Sequence, residues 1–311
     1  MKNITFNYII LNYKIIKDYL NKNNHEKQKN IFEKSSDINE KINDYSDKCY
    51  YSPDNTDIKI IHFILTRFII EFGKGDRFIK NIYKEEYILN GIRVMKQYLI
   101  PSLENQSCKK FIWIITLGDN ANINYIKSLI NFKPSFDFDI IYISDLQKYL
   151  RNKTKGFDVL ISTRMDYDDR IYYDAVNDLR KLVNIGKPLQ IYGYNRGVTY
   201  FEEDNKYYYF WVNYKEGAWS VFESLITVLN KVNNIYTVND LGAHNVIRKN
   251  LFKLYKSFGV KVLNYEPAIF DSGEAKFVYV RQKYSRDYRL YTNKRKRGIE
   301  CNFNLSKFYG K

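Results

Sequence analysis

The sequence predicts an α/β fold in which a mostly parallel sheet is covered by helices. Near-continuous apolar runs, rich in β-branched and aromatic residues, recur along the chain as in strands that are buried on both faces. Segments with helical spacing of apolar residues separate these runs, through at least four units of strand and helix. The 311 residues are enough to bury a sizeable core.

The predicted elements follow one another from residue 58. Four strands are predicted from the runs IKIIHFILTRF, KKFIWIITLG, FDIIYIS and FDVLISTRMD. Helices are predicted between and after them from YKEEYILNGIRVMKQYLIPSLENQ, NINYIKSLINF, LQKYLRNK and DDRIYYDAVNDLRKLVNI. Because ligands bind at the carboxyl ends of the strands in such sheets, a site is expected in the loops that follow them.

The pattern changes in the second half of the chain. LQIYGYNRGVTYFEEDNKYYYFWVNYK alternates aromatic and polar residues around a turn, which predicts an antiparallel hairpin. Its aromatic side chains offer either faces for sugar stacking or cross-strand packing. ESLITVLNKV and AHNVIRKNLFKLYKSFG are predicted to be helices. The result is a Rossmann-like mixed sheet flanked by helices, with an antiparallel half.

Composition divides the chain into three parts. Residues 1–57 combine a short amphipathic segment with a polar, low-complexity stretch, and we predict an N-terminal extension there. Residues 58–285 carry the folded pattern, and residues 286–311 form a basic C-terminal tail.

The net charge of +15 favours phosphates, acidic polymers or anionic membrane surfaces as partners. Part of the lysine excess reflects a composition rich in residues with AT-rich codons. One alternative is therefore a basic protein that binds nucleic acid or a membrane surface, with a merely structural acidic turn. Cys49, Cys108 and Cys301 show no CxxC spacing, so neither a disulfide framework nor a zinc knuckle is indicated.

Localisation is predicted from what the sequence does not contain. The apolar runs fall short of the roughly 18–20 residues that span a bilayer, and the N-terminal stretch lacks the features of a signal peptide. We therefore expect a soluble, cytoplasmic protein, with a viral factory or the cytosolic face of a membrane as its setting.

Three carboxylates, Asp166, Asp168 and Asp169, crowd the end of the fourth predicted strand in STRMDYDDRI. They would repel one another strongly without a cation. Hard oxygen ligands suit Mg²⁺ or Mn²⁺, and such an ion leaves coordination positions to water and to substrate phosphates. The cluster therefore predicts a metal site for a diphosphate-bearing substrate. The alternative is a surface turn in which Asp169 caps the following helix.

Other chemistries find less support. A haloacid-dehalogenase-type phosphatase needs Thr or Val two residues after its second Asp, where this chain has Arg170 in mid-sequence. A nuclease needs further ligands, and His62 lies within a strand, where a core position is expected. P-loop, GxGxxG and GxSxG patterns are absent.

The stretch Thr163-Arg164-Met165-Asp166-Tyr167-Asp168-Asp169 resembles the Thr-Arg-Leu-Asp-x-Asp-Asp signature of a rhamnosyltransferase family, glycosyltransferases with a GT-A-like fold. Met165 departs mildly from that signature. Further matches occur in the same order at Thr66-Arg67-Phe68, at Pro101, Ser102, Leu103 and Gln106 before Phe111 and Trp113, in GAWSVFESL, and in the AHN of residues 243–245. The resemblance covers roughly residues 58–285. The compact AHN is its largest departure.

The resemblance implies transfer of a sugar, rhamnose in the named family, from a nucleotide-diphosphate donor to a hydroxyl of a glycan or glycoprotein acceptor. Asp168 and Asp169 would hold Mn²⁺ or Mg²⁺ against the diphosphate. Asp166 would contact the donor's ribose or assist the metal. The antiparallel half would then be the acceptor side, and no stable nucleic acid partner is expected.

The resemblance also implies roles for residues outside the acidic cluster. Thr66, Arg67 and Arg164 would contact the donor, although an arginine that braces a carboxylate is an equal alternative for the last two. His244 would bind the diphosphate or metal from the far side, or lie on a helix surface. Asp240 would be the general base of an inverting transfer, with a helix N-cap as its alternative. Oligomeric state is left open.

Overall fold

The computed structural model describes residues 58–70, 82–194, 196–211, 222–241, 250–251, 253–254, 268–270, 275–281 and 300–305. The chain divides into two units, Met1–Asp47 and Lys48–Lys311, and all described residues belong to the second. The predicted extension of residues 1–57 and the predicted site residue His244 lie outside the described residues. The three-part division of the chain therefore stays a prediction.

Twelve strands are found among the described residues: β1 (Ile60–Phe68), β2 (Ile112–Leu117), β3 (Asp137–Tyr142), β4 (Val159–Arg164), β5 (Asp169–Ile171), β6 (Leu189–Tyr194), β7 (Arg196–Phe201), β8 (Lys206–Trp211), β9 (Ser224–Val228), β10 (Ala268–Phe270), β11 (Phe277–Arg281) and β12 (Glu300–Cys301). They form two sheets. The main sheet has the order β10-β6-β9-β4-β1-β2-β3, and the second sheet has the order β12-β8-β7-β11-β5.

The helical segments are α1 (Glu85–Val94), a π-helix (Met95–Leu99), α2 (Ile100–Glu104), α3 (Ile123–Leu129), α4 (Leu146–Lys153) and α5 (Ala175–Lys181). Short 3₁₀ turns occur at Ile143–Asp145, Leu229–Lys231 and Val238–Leu241. In the part of the chain that the structure describes, no helix is both long enough and apolar enough to cross a membrane.

The first four strands confirm the predicted parallel sheet. β1 runs parallel to β2 and β4, and β2 runs parallel to β3. β9 enters between β4 and β6 and is antiparallel to both, so the sheet is mixed. The predicted hairpin is also confirmed, because β7 pairs antiparallel with β8 around residues 202–205. The α/β architecture with an antiparallel half is therefore as the sequence predicts.

The core explains why the strand sequences are apolar without alternation. β1, β2 and β4 are covered on both faces, and Phe63, Ile64 and Leu65 are all fully buried. Among the described residues, Trp113 is the largest fully buried side chain, and it stacks on Phe138 with the ring centroids 4.9 Å apart. Burial on both faces is the setting in which a parallel sheet needs a continuous apolar run.

Two predicted helices are wrong in part. ESLITVLNKV is not a helix, because Ser224–Val228 forms β9, whose five residues are all buried between β4 and β6. Its β-branched run fits a central strand. DDRIYYDAVNDLRKLVNI begins as a strand, because Asp169–Ile171 pairs antiparallel with β11, and the helix starts only at Ala175. Asp169 therefore does not cap this helix, and the surface-turn alternative is wrong in that respect.

Candidate active site

The acidic motif leaves the main sheet at the carboxyl end of β4 and enters the second sheet as β5. Its backbone is fixed on both sides: the Arg164 amide donates to the Glu223 carbonyl at 3.0 Å, and the Met165 amide donates to the Leu65 carbonyl at 3.0 Å. Because β1, β2 and β4 are parallel, their carboxyl ends meet at this edge, where α/β sheets bind ligands.

The three carboxylates differ in how far solvent reaches them. The side chain of Asp166 is 37% exposed, whereas Asp168 is buried and Asp169 is completely enclosed. The Asp169 amide donates to the Asp166 carbonyl at 3.3 Å, so the motif is a tight turn between the two sheets. Tyr167 anchors this turn through its ring, which lies 5.3 Å from that of Phe68 in an edge-on arrangement.

Asp169 is electrostatically strained. Burial raises the pKa of its carboxyl well above the usual range, and the charges of Asp168 and Asp166 raise it further, while Arg281 and the backbone amide of Val280 act in the opposite direction. Apart from the Val280 amide, neither carboxylate oxygen of Asp169 has a hydrogen-bond partner among the residues that the structure describes. A buried carboxylate in this state favours either a proton or a nearby cation.

We expect Asp169→Asn to raise the unfolding temperature at pH 7 by a few degrees, since each kcal/mol corresponds to roughly 2–4 °C in a domain of this size. The folded state holds the Asp169 proton more tightly than the unfolded state does. Stability of the wild type should therefore fall as pH rises from the ordinary carboxyl pKa of about 4 towards the raised one. Thermal unfolding between pH 4 and 8 measures this slope.

The control for this pH series is Asp158→Asn, which removes the same charge from an exposed carboxylate at the amino end of β4. That carboxylate accepts the Lys59 amide at 2.9 Å. Asp169→Asn should flatten the decline in stability with pH, and Asp158→Asn should not. Equal slopes in wild type and Asp169→Asn would rule out a raised pKa at this position.

The predicted arginines sit at the same edge. Arg67 is the next-to-last residue of β1, and its guanidinium lies 3.9 Å from the Asp166 carboxylate. Arg164, the last residue of β4, is buried. A separation of 3.9 Å is a loose ion pair, which leaves Arg67 able to bind either its carboxylate or a second anion.

Two other predicted site residues have structural contacts. Thr66 is fully buried, and its hydroxyl accepts a hydrogen bond from the Trp113 indole at 3.0 Å. Asp240 is exposed, and its Oδ2 accepts the Thr237 amide at 2.7 Å and the Thr237 hydroxyl at 2.9 Å, which is a capping arrangement for the 3₁₀ turn. The neighbouring Val238 amide donates to the Ser162 hydroxyl of β4 at 2.9 Å.

His62 is the core histidine that the sequence predicts, because only 1% of its surface is exposed. Burial, and then the charge of Arg180, lower its pKa to about 3, so the ring is neutral at physiological pH. Its Nε2 lies 2.8 Å from the Thr163 hydroxyl, which in turn lies 2.8 Å from the Ser224 hydroxyl. This chain of hydrogen bonds ties the first residue of the signature to β1 and β9.

A cavity of about 370 Å³ opens at the carboxyl ends of β1 and β2. It is lined by Ile69, Tyr83, Glu85, Ile88, Asn120, Ala121, Asn122, Tyr125 and Ile126. Tyr125 donates its hydroxyl to Glu85 at 2.8 Å. Ile69 has a positive φ of 54°, which is a rare and strained conformation for a β-branched residue. Two tyrosine rings and two amide side chains suit a planar polar ring such as a nucleobase.

Sequence reasoning missed Arg281 and this cavity. Arg281 ends the buried strand β11 and acts on the Asp169 carboxyl from the second sheet. One signal was available, because FVYVR closes an apolar run with a charge, as FDVLISTR does. The cavity had no such signal, since its lining comes from three separate segments of the chain.

The carboxylates fit a metal ion that is shared with a substrate. Within the described ranges, no group of three or more His, Cys, Asp or Glu side chains is arranged to hold an ion. Mg²⁺ needs no such cage, since it binds through one or two carboxylates and completes its shell with water and phosphate oxygens. The enclosed carboxylate of Asp169, crowded by the charges of Asp168 and Asp166, is the observation that favours a cation here.

Comparisons with known proteins identify no family. No protein-family model matches the chain, and no curated protein matches it significantly. Among solved structures, the chain is similar to a protein described as a nucleotide-diphospho-sugar transferase from Desulfovibrio desulfuricans G20, with 11% identity, 77% of this chain and 96% of that chain covered, and a TM-score of 0.33.

Two further structures are transferases by their descriptions. For the inositol-1-phosphate CTP transferase of T. maritima, the identity is 11%, the coverage is 74% of this chain and 94% of that chain, and the TM-score is 0.34. For the glycosyltransferase GlyE of Streptococcus pneumoniae TIGR4, the identity is 11%, the coverage is 76% of this chain and 50% of that chain, and the TM-score is 0.29. Similarities this distant do not establish an activity for this chain.

Proposed function

We propose that this protein is a metal-dependent glycosyltransferase that moves a sugar from a nucleotide-diphosphate donor to a hydroxyl acceptor. The observation that carries the proposal is the acidic motif at the carboxyl end of β4, where Asp166, Asp168 and Asp169 follow the strand and Asp166 lies beside Arg67 of β1. Crowded carboxylates beside an arginine suit a substrate that brings both a cation and a diphosphate.

The donor would bind across this edge of the main sheet. Its nucleoside would occupy the cavity between Tyr83 and Tyr125, whose volume is in the range of ligand pockets. Arg67 would turn from Asp166 to the diphosphate, since the present ion pair is long. Asp166, the most exposed carboxylate of the motif, would then accept a ribose hydroxyl or assist the cation.

Mn²⁺ or Mg²⁺ would be held by Asp168, together with Asp166. When bound, the ion neutralises charge that develops on the leaving diphosphate. Asp169 is enclosed near Arg281, and its direct contact with the ion stays a prediction. Arg67 supplies a second positive group, and Arg164, buried at the end of β4, remains a proposed donor contact or a brace for a carboxylate.

For the acceptor, Asp240 remains the proposed general base of an inverting transfer. The Thr237 amide and hydroxyl both donate to Oδ2 of Asp240, which is the arrangement of a structural cap. The structural role and the role as general base therefore have equal support. The rhamnosyl specificity and the glycan or glycoprotein acceptor rest only on the resemblance of the sequence motifs between residues 58 and 285.

The test is a thermal-shift screen of nucleoside diphosphates and nucleotide sugars, with and without Mn²⁺. A ligand at a hundred times its dissociation constant stabilises the folded state by about 2.7 kcal/mol, which corresponds to roughly 5–10 °C in a domain of this size. We expect one nucleoside diphosphate to give this shift, and only when Mn²⁺ is present. If no member of the panel stabilises the protein, the transferase proposal fails.

Asn120→Ala refines the screen, because Asn120 is exposed at the cavity rim. We expect this variant to weaken binding of the nucleoside diphosphate about tenfold, because one lost hydrogen bond costs ~1.4 kcal/mol. Mn²⁺ binding to the carboxylates should be unchanged. The control is Asn131→Ala, an exposed amide after α3 whose side-chain oxygen lies 3.4 Å from the Lys96 ammonium.

A further inference from the structure

The segment that follows the acidic motif lies against the helical segment around Pro101. Arg170, the middle residue of β5, is buried, and its guanidinium donates to the backbone carbonyl of Gln97 at 3.2 Å. Gln97 is the central residue of the π-helix between α1 and α2. The strand that follows the acidic motif is thus attached to the π-helix through Arg170.

Pro101 explains why the Gln97 carbonyl can take this bond. In a regular α-helix the carbonyl of Gln97 would accept the amide of residue 101, four positions on. Proline has no amide hydrogen, and its ring crowds that same carbonyl. The helix widens into a π-turn at Met95–Leu99, and π-turns of this kind occur often at functional sites. Pro101 therefore removes the normal partner of the carbonyl that Arg170 binds.

The arginine is also held through its face. The Arg170 guanidinium lies 4.7 Å from the ring centre of Tyr98, which is a cation–π contact. Tyr98 donates its hydroxyl to Glu202 at 2.9 Å, and Arg93 binds the same carboxylate through two bonds of 2.8 and 2.9 Å. The hydrogen bond from Arg93 holds the pKa of Glu202 below its usual range, so the carboxylate that binds Tyr98 and Arg93 is charged at neutral pH.

A second attachment follows a few residues later. The side chain of Gln106 is buried and donates to the Ser102 and Tyr172 carbonyls at 3.1 and 2.8 Å. Its oxygen accepts the Val176 amide at 3.1 Å. All three bonds go to backbone, so this side chain fixes the path of the chain between β5 and α5.

We propose that Arg170 and Gln106 are positioning residues, which hold the acidic motif in the geometry that binds the donor. Arg170 attaches the strand to the carbonyl that Pro101 leaves open, and Gln106 attaches the chain two and six residues later, at Tyr172 and Val176. The inference rests on the proposed function, because the motif is taken to be the donor site. It assigns these two residues and Pro101 a role in affinity although none of them contacts the ligand.

The test compares Arg170→Met, Arg170→Lys and Gln106→Leu with wild type in two measurements. One is hydrogen exchange of the peptide that covers residues 165–171. The other is affinity for the nucleoside diphosphate that stabilises the wild type, in the presence of Mn²⁺. We expect Arg170→Met and Gln106→Leu each to weaken binding about tenfold or more and to speed exchange of the motif, since each removes a buried hydrogen-bond donor. Arg170→Lys should recover part of the affinity, because a lysine keeps the charge over Tyr98.

The matched control is Arg180→Met. Arg180 also donates to a backbone carbonyl, that of Lys110 at 3.3 Å, but Lys110 precedes β2 and so lies towards the opposite edge of the main sheet. This variant should leave both the affinity and the exchange of the motif as in wild type. The proposal is overturned if Arg170→Met binds and exchanges like wild type, or if Arg180→Met weakens binding equally.

Pro101→Ala keeps the proposal testable where a buried arginine variant does not fold. Alanine restores the amide that competes with Arg170 for Gln97, and it favours the helix. We expect unchanged or higher thermal stability together with severalfold weaker donor binding, a combination that a purely structural role would not give. Wild-type affinity in this variant contradicts the proposal.

If the wild type binds no nucleoside diphosphate, the proposed function fails, and the exchange measurement decides the positioning role alone. Faster exchange in Arg170→Met then supports the attachment, and unchanged exchange overturns it.

Discussion

Asp168→Asn should weaken Mn²⁺-dependent binding of the nucleoside diphosphate at least about 100-fold, or ~2.7 kcal/mol, without destabilising the protein. Asp168 is the buried carboxylate between the exposed Asp166 and the enclosed Asp169, so it is the group best placed to share a cation with a substrate. An amide keeps its shape but lacks the charge that a hard cation requires. Titration calorimetry with and without Mn²⁺ measures the loss.

Stability should move in the opposite direction from affinity. The charge of Asp168 is one of the causes that raise the pKa of Asp169, so removing it relieves a repulsion in the folded state. We expect an unfolding temperature equal to or above that of wild type. Asp158→Asn, at the other end of β4, is the charge-matched control and should bind normally. Wild-type affinity in Asp168→Asn would exclude this residue from the site.

The same variant separates the two function classes. A basic protein that binds polyanions through its net charge of +15 would keep a salt-sensitive affinity for heparin or nucleic acid whether or not Asp168 is changed. A donor site would lose its ligand.

Gly197→Ala should destabilise the fold by about 3 kcal/mol, and by more if β11 shifts. Gly197 lies in β7, and a Cβ added there would stand 2.2 to 2.5 Å from three ring atoms of Phe277. Phe277 is fully buried against Phe222 and Tyr279, so its ring has no open space to enter. The gain from a less flexible unfolded chain, about 0.4–1 kcal/mol, is smaller than this clash.

A double-mutant cycle tests the cause. Phe277→Leu removes the ring, so the double variant Gly197→Ala/Phe277→Leu should be more stable than the sum of the two single effects predicts. Phe277 pairs with Ile171 directly after the acidic motif, so the single variant Gly197→Ala should also weaken donor binding. Additive losses in chemical denaturation would show that the clash with Phe277 is not the cause.

The sequence predicted the parallel part of the fold because fully buried strands have an unambiguous composition. The run at Ile60–Phe68 is mostly apolar, the run at Val159–Arg164 begins with three apolar residues, and both strands lie in the middle of the main sheet. The same rule failed at Ser224–Val228, where a short apolar run next to polar residues fits helix and strand equally well. Its identity as β9 depends on the gap between β4 and β6, which is a tertiary property.

Only part of the candidate site could be read from the sequence. The carboxylates and Arg67 are visible because strand ends of a parallel sheet converge, and the ion pair of Arg67 with Asp166 agrees with that convergence. Arg281 acts on Asp169 from β11, and Arg170 binds the Gln97 carbonyl from β5. Both strands belong to the second sheet, and no local sequence pattern specifies their pairing. The role of Pro101 depends on which group binds the carbonyl of Gln97. That group is Arg170, and only the folded structure shows that the two are in contact.

The neutral, buried ring of His62 gives pH–rate profiles of this protein a simple interpretation. Its pKa of about 3 lies below the pH range of ordinary assays, so His62 contributes no inflection between pH 5 and 8. The sequence has three histidines, the others being His25 and His244. An inflection near 6.5, the ordinary value for imidazole, would therefore direct attention to His244 first, and its disappearance in His244→Gln would link that residue kinetically to turnover.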